Sequence, residues 1–476
     1  MSTTIFALST PPGRSAIAVV RLSGPHVCTV LEALCPPRPE PRRAVLRRLK
    51  DPLSGSILDE ALVLYFQAPR TETGEDMAEL HLHGGKANVR AVLETLSRVP
   101  GCRAAEPGEF ARRAFENGKV DLARIEGLAD LIDAETEGQR RQAVAQATGV
   151  QSKRFERWRS DLLEALGLVE AAIDFSDEGD VSDRAVGQAE VAASRLRDDL
   201  HAHVDDGHRG EILREGFRVV LAGPPNAGKS SLLNALARRE AAIVSEEPGT
   251  TRDVIEVRLD LEGLAVIVSD TAGIRETSSG VEQEGIRRTL AATREADLVL
   301  WLREAGDLRA AAPHPDPLPM KDGERGLRLL TKCDLLAPAE LIHVKHSDQK
   351  GGGLGEPSPE RDRRAAALPR QRPTGIDLAI SAKTGEGLDA LTRLIAECAR
   401  AATGDPSEPA ITRVRHRHEI GRAILHLDAF LYDKGRAIEL RAEELRLSGI
   451  ALGRLTGRID AEEVLGEIFS RFCIGK

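Results

Sequence analysis

The sequence predicts a multidomain chain of mixed α+β and α/β class, in which an N-terminal α+β domain precedes a helical domain interrupted by a doubly wound α/β domain. Three observations lead there. A glycine-rich loop, Gly223-Pro224-Pro225-Asn226-Ala227-Gly228-Lys229-Ser230, stands between the strand-like run Phe217–Ala222 and a helix-like stretch at 231–236. Residues 1 to about 118 mix short strands with turns marked by Pro and Gly, and helical periodicity takes over from Val120. Two later stretches, 411–447 and 461–472, carry leucines at heptad-like intervals but too few to close a core of their own.

In the N-terminal domain, residues 1–118, the segment Glu79-Leu80-His81-Leu82-His83 alternates with period two, which places Leu80 and Leu82 inward and Glu79, His81 and His83 on the other face of a strand. A His-x-His pair can hold a metal, but no further ligand stands at metal spacing; a solvated or pocket-lining strand is the alternative. Helical patterns then run from Val120 through Ala143 and from Phe155 to Ile173. The stretches near the C-terminus are expected to pack with these. One helical domain, 119–215 plus 403–476, would then enclose an insertion at 216–402.

The inserted domain carries the chemistry. Glycines let backbone N–H groups turn inward around phosphate oxygens, the following helix offers its positive end, and Lys229 adds a mobile charge on the outer phosphates. Asn226, Ala227, Gly228, Lys229, Ser230 and Ser231 are therefore the expected phosphate contacts, with Ser230 placed to ligate magnesium. Gly249-Thr250-Thr251-Arg252-Asp253, Asp270-Thr271-Ala272-Gly273, Thr331-Lys332-Cys333-Asp334 and Ser381-Ala382-Lys383 follow in the order expected of a P-loop GTPase. Asp334 selects the base: its carboxylate can accept two N–H bonds from guanine, whereas adenine offers one. The family pattern has Asn where Thr331 stands, so a hydroxyl must replace part of what an amide does between the base and the phosphate loop. Thr251 and Asp270 are the expected magnesium partners, the second through water.

Gly273 is followed by Ile274, which cannot orient water as a Gln would, so another group must. Glu282 is the acidic candidate; a solvated carboxylate favoured at a helix start is the other reading. Arg252 and Arg275 are either transition-state cations or members of structural ion pairs. Asn226 offers a neutral amide oxygen near the phosphates, which suits a monovalent cation. Two stretches, 311–326 with its alternating prolines and 346–375 with Gly351-Gly352-Gly353, read as disordered surface loops.

Composition narrows the class. The 476 residues carry a net charge of −9, with 41% hydrophobic and 30% charged residues, which fits a soluble chain of about three domains. Six cysteines without a C-x-x-C pair point to a reducing compartment and away from structural zinc. The start, Met1-Ser2-Thr3-Thr4-Ile5, has no basic leader, and no run approaches the ~18 apolar residues of a membrane span, so a cytoplasmic location without a membrane is expected. RNA contact must use local patches or a partner, because the chain is acidic and only 3% aromatic. Arg140-Arg141, the group Lys153, Arg154, Arg157 and Arg159, and the run from Arg413 to His418 are such patches, or else solvated helix faces.

Segments on both sides of the inserted domain add an identity. Ser9-Thr10-Pro11-Pro12-Gly13-Arg14, Val20-Arg21-Leu22-Ser23-Gly24, Thr73-Gly74-Glu75-Asp76, His83-Gly84-Gly85, Glu106-Pro107-Gly108-Glu109-Phe110, Gly118-Lys119 and the terminal Phe472-Cys473-Ile474-Gly475-Lys476 resemble the tRNA-modification GTPase family called MnmE or TrmE, over nearly the whole chain. The resemblance implies a potassium-stimulated GTPase that acts as a homodimer, with the G domains meeting across the nucleotide. Potassium would be held by Asn226, Ser245, Glu247 and Thr250, and Glu282 would position water. The GTP contacts it implies include Ser245, Gly249, Thr250, Thr251, Asp270, Thr271, Ala272, Gly273, Thr331, Lys332, Asp334, Ser381, Ala382 and Lys383. It further implies that the N-terminal domain binds a tetrahydrofolate derivative (5-formyl or 5,10-methylene) through Arg21, Glu79, Lys119 and Lys476. A carboxylate such as Glu79 suits the adjacent N–H donors of a pterin. Cys473 is either a thiol in that chemistry or a small buried residue. The implied partner is a FAD-containing protein, MnmG or GidA; the implied reaction places an aminomethyl or carboxymethylaminomethyl group on carbon 5 of the tRNA wobble uridine. A regulatory switch in ribosome assembly, or a scaffold that only binds GTP, would share the G motifs but has no use for a folate-like N-terminus and a cysteine tail.

Overall fold

The computed structural model describes residues 3–174, 179–206, 208–224, 226–239, 241–243, 256–270, 295–305, 326–335, 377–406, 408, 410–459 and 475. The chain divides into two compact units, one of residues 1–129, 146–198 and 419–476, the other of residues 130–145 and 199–418. The proline-rich and glycine-rich stretches singled out in the sequence lie outside the described residues, apart from Gly326. Among the described residues no helix is long and apolar enough to cross a membrane.

The first unit begins with a six-stranded sheet: β1 (Thr4–Leu8), β2 (Ile17–Ser23), β3 (Val45–Lys50), β4 (Ile57–Phe66), β5 (Met77–His83) and β6 (Cys102–Ala104), in the order β3-β4-β5-β2-β1-β6. The pairs are antiparallel except β1 with β6. Alternation decides the faces. Val20 and Leu22 of β2, Leu80 and Leu82 of β5 and Val63 of β4 pack with Val27, Val30 and Leu34 of α1 (Val27–Leu34) and with Val89, Val92 and Leu96 of α2 (Lys86–Ser97).

A buried ionic network fastens α3 (Glu109–Glu116) to this sheet. Arg103 grips Glu109 with two bonds of 2.8 and 2.6 Å, and Arg113 reaches the same carboxylate at 3.0 Å. The other arm of Arg113 meets Glu75 at 2.9 Å, Glu75 accepts from Ser23 Oγ at 2.8 Å, and the Ser23 and Thr73 hydroxyls bond to each other at 2.7 Å. Three of the sequence motifs, around Ser23, Thr73-Gly74-Glu75 and Glu106–Phe110, thus meet in one place. Each satisfies the others' buried polar atoms.

Helices follow, and the chain passes through both units along them. α4 (Leu122–Asp133) and α5 (Glu137–Ala147) replace the single helix expected from Val120 to Ala143, because Thr136 and Gln139 form a capping box. Gln139 Oε1 accepts the Thr136 N–H at 3.1 Å, which starts a new helix. α6 (Val150–Asp174) buries Phe155, Trp158, Leu162, Ala165 and Val169 along one stripe. α7 (Gly179–Val204) follows, and near the C-terminus stand two helices where one was expected over 411–447, separated by a turn at Gly435. Their partners are specific: Arg441, buried at 4% exposure, donates to the Phe430 carbonyl at 3.1 Å and to Glu190 at 2.8 Å, and Arg446 reaches Glu170 at 2.6 Å.

The second unit holds β7 (Phe217–Ala222), β8 (Glu256–Leu261), β9 (Leu264–Asp270), β10 (Leu298–Glu304), β11 (Gly326–Thr331) and β12 (Leu378–Ala379), in the order β12-β11-β10-β7-β9-β8. All neighbours are parallel except β8 with β9. α8 (Arg209–Glu215), α9 (Lys229–Ala237) and α10 (Leu388–Thr403) belong to it, and their apolar residues join one core with Val219, Leu221, Val266, Leu300 and Leu329. α11 (Val414–Tyr432) starts in this unit and α12 (Ile438–Thr456) lies in the first. Asp130 accepts from Arg214 at 3.0 Å and from Arg413 at 2.7 Å, tying three separate chain segments together. The turn of the β8–β9 hairpin sits against the start of α5: the Gly138 N–H donates to the Gly263 carbonyl at 2.8 Å, and a Cβ at Gly138 would lie 2.8 Å from that oxygen.

The Glu109 network carries a testable pH dependence. Burial alone would raise the Glu109 pKa, but Arg103, the Glu106 amide and Arg113 hold it below the usual carboxylate value. A depressed folded pKa gives stability that is fully present above the unfolded value of about 4.3 and is lost as pH falls through the folded one. Glu109→Gln is expected to cost about 3 kcal/mol at neutral pH, as breaking a buried ion pair does, and to flatten the acid-side loss. Urea unfolding of both proteins between about pH 7 and about pH 3 checks this; parallel curves would contradict it.

Candidate functional site

The phosphate loop begins where β7 ends. A Cβ at Gly223 (φ 145°) would stand 2.4 Å from the Leu302 carbonyl oxygen, so the chain passes the end of β10 only without a side chain. Asn226 takes a positive φ of 64°, which its residue type tolerates, and Gly228 at 92° opens α9. Ala227 is buried while Asn226 is exposed on the turn. Lys229 is 8% exposed; its ammonium donates to the Gly223 and Pro224 carbonyls at 2.8 and 3.0 Å. Burial pulls its pKa down, against the opposing pull of Asp270.

Ser230, in the first turn of α9, donates to the Asp270 carboxylate at 2.7 Å. Asp270 closes β9 and is 2% exposed. A hydroxyl and a carboxylate side by side are hard oxygen donors of the kind magnesium takes. Among the described residues no group of three or more His, Cys, Asp or Glu forms a metal cluster.

The residues expected to meet the base stand at the ends of β11 and β12. Thr331, at 4% exposure, places its Oγ1 2.7 Å from the Ala227 carbonyl and 3.1 Å from that of Arg303. The hydroxyl therefore does tie the base loop to the phosphate loop. Lys332 follows at φ 56° with its ammonium 2.8 Å from Glu304, and Asp334 lies in the single turn Cys333–Leu335. The Ser381 hydroxyl donates to Asp334 at 2.7 Å and accepts the Thr384 N–H at 3.2 Å, which fixes the carboxylate's direction. Gly228, Ser231, Thr331, Lys332, Asp334 and the stretch Ser381-Ala382-Lys383 line a cavity of about 260 Å³, together with Leu232, Leu335 and Ile380.

Sequence reasoning missed Glu304 and the apolar walls Leu232, Leu335 and Ile380. Glu304 ends a parallel strand at the carboxyl edge of the sheet, beside the phosphate-loop strand, and that position is the signal that marks it. Ser245, Glu247, Gly249, Thr250, Thr251, Arg252, Thr271, Ala272, Gly273, Arg275 and Glu282 lie outside the described residues, as do Cys473 and Lys476.

In the first unit Arg21 is flanked on the sheet by Ala7 and Glu79. Its guanidinium meets Glu79 at 3.2 Å and Glu72 at 3.0 Å, above the Phe110 ring at 5.9 Å. His81 contacts the other Glu79 oxygen at 3.3 Å, while His83 turns to Asp59 at 2.7 Å, so the His-x-His pair does not converge. Lys119 donates to the Pro69 carbonyl at 2.5 Å and crosses Gly74, on the loop that carries Glu72. Ser9 Oγ donates to the Gly475 carbonyl at 3.0 Å, which sets the residue before Lys476 at the end of β1. Of the basic patches, Arg140 and Arg141 both pair with Glu137, Arg413 with Asp130 and Arg417 with Asp206.

The chain matches the family model described as MnmE helical domain over residues 122–473, and the one described as GTP-binding protein TrmE N-terminus over residues 4–119. Proteins named tRNA modification GTPase MnmE resemble it along their whole length. That of Methylobacterium radiotolerans is 48% identical over 475 residues, 99% of each chain. That of Methylobacterium sp. (strain 4-46) is 50% identical over 491 aligned positions, and that of Caulobacter vibrioides 46% over 476, each covering 100% of both chains. This chain therefore belongs to the MnmE family of tRNA modification GTPases.

Proposed function

We propose that this chain hydrolyses GTP in its second unit and that the turnover serves modification of the wobble uridine of tRNA. One observation carries the reading: Lys229, the Ser230–Asp270 pair, Thr331 on Ala227 and Asp334 on Ser381 are gathered around the phosphate loop and one cavity. Asp334, aimed by Ser381, accepts the two adjacent N–H groups of guanine. The positive end of α9 and the Lys229 ammonium hold the phosphates. Ser230 and Asp270, with Thr251, supply oxygens for magnesium, which when bound neutralises charge between the outer phosphates. Asn226, with Ser245, Glu247 and Thr250, supplies neutral or carboxylate oxygens for potassium, and Glu282 orients the attacking water.

The domain arrangement we adopt is 1–118 for folate binding and dimerisation, 119–215 and 403–476 for the helical domain, and 216–402 for the GTPase domain. In the first of these, Glu79 accepts the N–H donors of a pterin while Arg21, Lys119 and Lys476 face carbonyl and carboxylate oxygens of a 5-formyl or 5,10-methylene tetrahydrofolate. The meeting of Arg21 with Glu79 supports this, as does the position of Gly475 beside Ser9. Cys473 would bring a thiol to the same place. The working assembly is a homodimer joined by the FAD-containing MnmG protein, acting on tRNA in the cytoplasm. The RNA contact falls to the partner's surface or to the local basic patches of this chain, Arg140-Arg141, the group Lys153, Arg154, Arg157 and Arg159, and the run from Arg413 to His418.

Lys229→Ala is expected to abolish GTP binding in an equilibrium titration. Glu282→Ala is expected to bind GTP within about twofold of the parent while turnover drops by about a hundredfold or more, the scale of losing one positioned polar group. Equal loss of binding in both would remove Glu282 from the reaction. Hydrolysis should be faster in potassium than in sodium at equal ionic strength; equal rates would exclude the cation role of Asn226. Cells deleted for the gene should accumulate tRNA lacking the carbon-5 substituent at the wobble uridine, and unaltered nucleoside profiles would overturn the modification reading.

A further inference from the structure

We propose that the base pocket reads guanine along its N1, N2 and O6 edge and leaves N7 unread, because the hydroxyl of Thr331 is turned away from the base onto two backbone carbonyls. The inference rests on the reading of this cavity as a guanine site. A threonine hydroxyl carries one O–H donor, and its other capacity is to accept. Thr331 Oγ1 has two carbonyl oxygens in range, Ala227 at 2.7 Å and Arg303 at 3.1 Å, and both can only accept. The single proton goes to Ala227, the closer of the two. What Thr331 presents to anything else is lone pairs.

Guanine N7 is itself a lone pair in the plane of the ring. Facing a hydroxyl whose proton is engaged elsewhere, it gains no bond. An asparagine at this position would be different, since its amide has two N–H donors and could hold the Ala227 carbonyl with one while offering the other to the base. The ammonium of neighbouring Lys332 is drawn to Glu304 at 2.8 Å. On the opposite edge the pocket is well supplied: Asp334 is fixed by Ser381 to accept N1–H and N2–H, and Ala382 and Lys383, whose backbone N–H groups are donors of the kind O6 takes, line the same cavity. Recognition is therefore one-sided. The threonine keeps the link between the two loops and gives up a contact with the base.

The test uses the full-length chain and two ligands, GDP and 7-deaza-GDP, in which a C–H replaces N7. Calorimetric titration is expected to give Kd values within about twofold of each other for the parent protein. In Thr331→Asn the analogue should bind about fivefold or more weakly than GDP, the usual scale of one hydrogen bond. A parent protein that already discriminates against the analogue by fivefold or more overturns the proposal, and so does an Asn variant that treats the two ligands alike. The parent measurement stands by itself if the variant fails to fold. Failure of the parent to bind GDP at all would instead overturn the reading of the cavity as a guanine site.

Discussion

Where the strands of a parallel sheet end, the last backbone carbonyls lose their ladder partners, and in this chain the loops that leave those strands satisfy one another. Thr331 donates to the carbonyl of Ala227, in the loop after β7, and its hydroxyl lies 3.1 Å from that of Arg303 in β10. Lys229 turns back on Gly223 and Pro224, and the Cys333 N–H takes the Ile380 carbonyl at 3.2 Å. A buried polar atom without a partner costs about 1–3 kcal/mol, so these loops are held in one arrangement. The cavity follows from that requirement. Its walls are the side chains and amides left over once the backbone is paired.

The N-terminal sheet meets the same demand with charge. Glu109 and Glu75 share Arg113, and Arg103 closes the set. Such a cluster holds its geometry only if every lone pair has a donor. It stands next to the Arg21–Glu79 pair through Phe110, whose ring supports the Arg21 guanidinium. The two arginines are built alike: Arg113 is shared by Glu109 and Glu75, and Arg21 by Glu79 and Glu72.

Much of this was legible in the residues. Alternation at Glu79–His83 placed Leu80 and Leu82 in the core, and the G-motif residues that the structure describes, Lys229, Asp270, Thr331, Asp334 and Ser381 among them, stand at or just beyond the ends of strands of one sheet. The Thr136–Gln139 capping box was equally readable, and it splits the helix that periodicity alone would run unbroken to Ala143. Other features had no local signal. Glu304 and Lys332 are 28 residues apart and meet only through the pairing of β10 with β11. The pairing of Thr331 with Ala227 crosses 104 residues, and nothing in either segment fixes which carbonyl a lone hydroxyl will choose.

The glycine contact between Gly138 and Gly263 has a consequence for how this molecule can vary. The ion pairs beside it, Glu135 with Arg258 and Glu262 with Arg400, can be strengthened or weakened one charge at a time. The contact has no such gradation, because a methyl group at Gly138 already comes within 2.8 Å of the Gly263 carbonyl oxygen, and Gly263 itself holds a φ of 85° that favours glycine. Mutational drift can thus alter the grip on this hairpin in small steps, whereas its seat on the helix is an all-or-none property of the sequence.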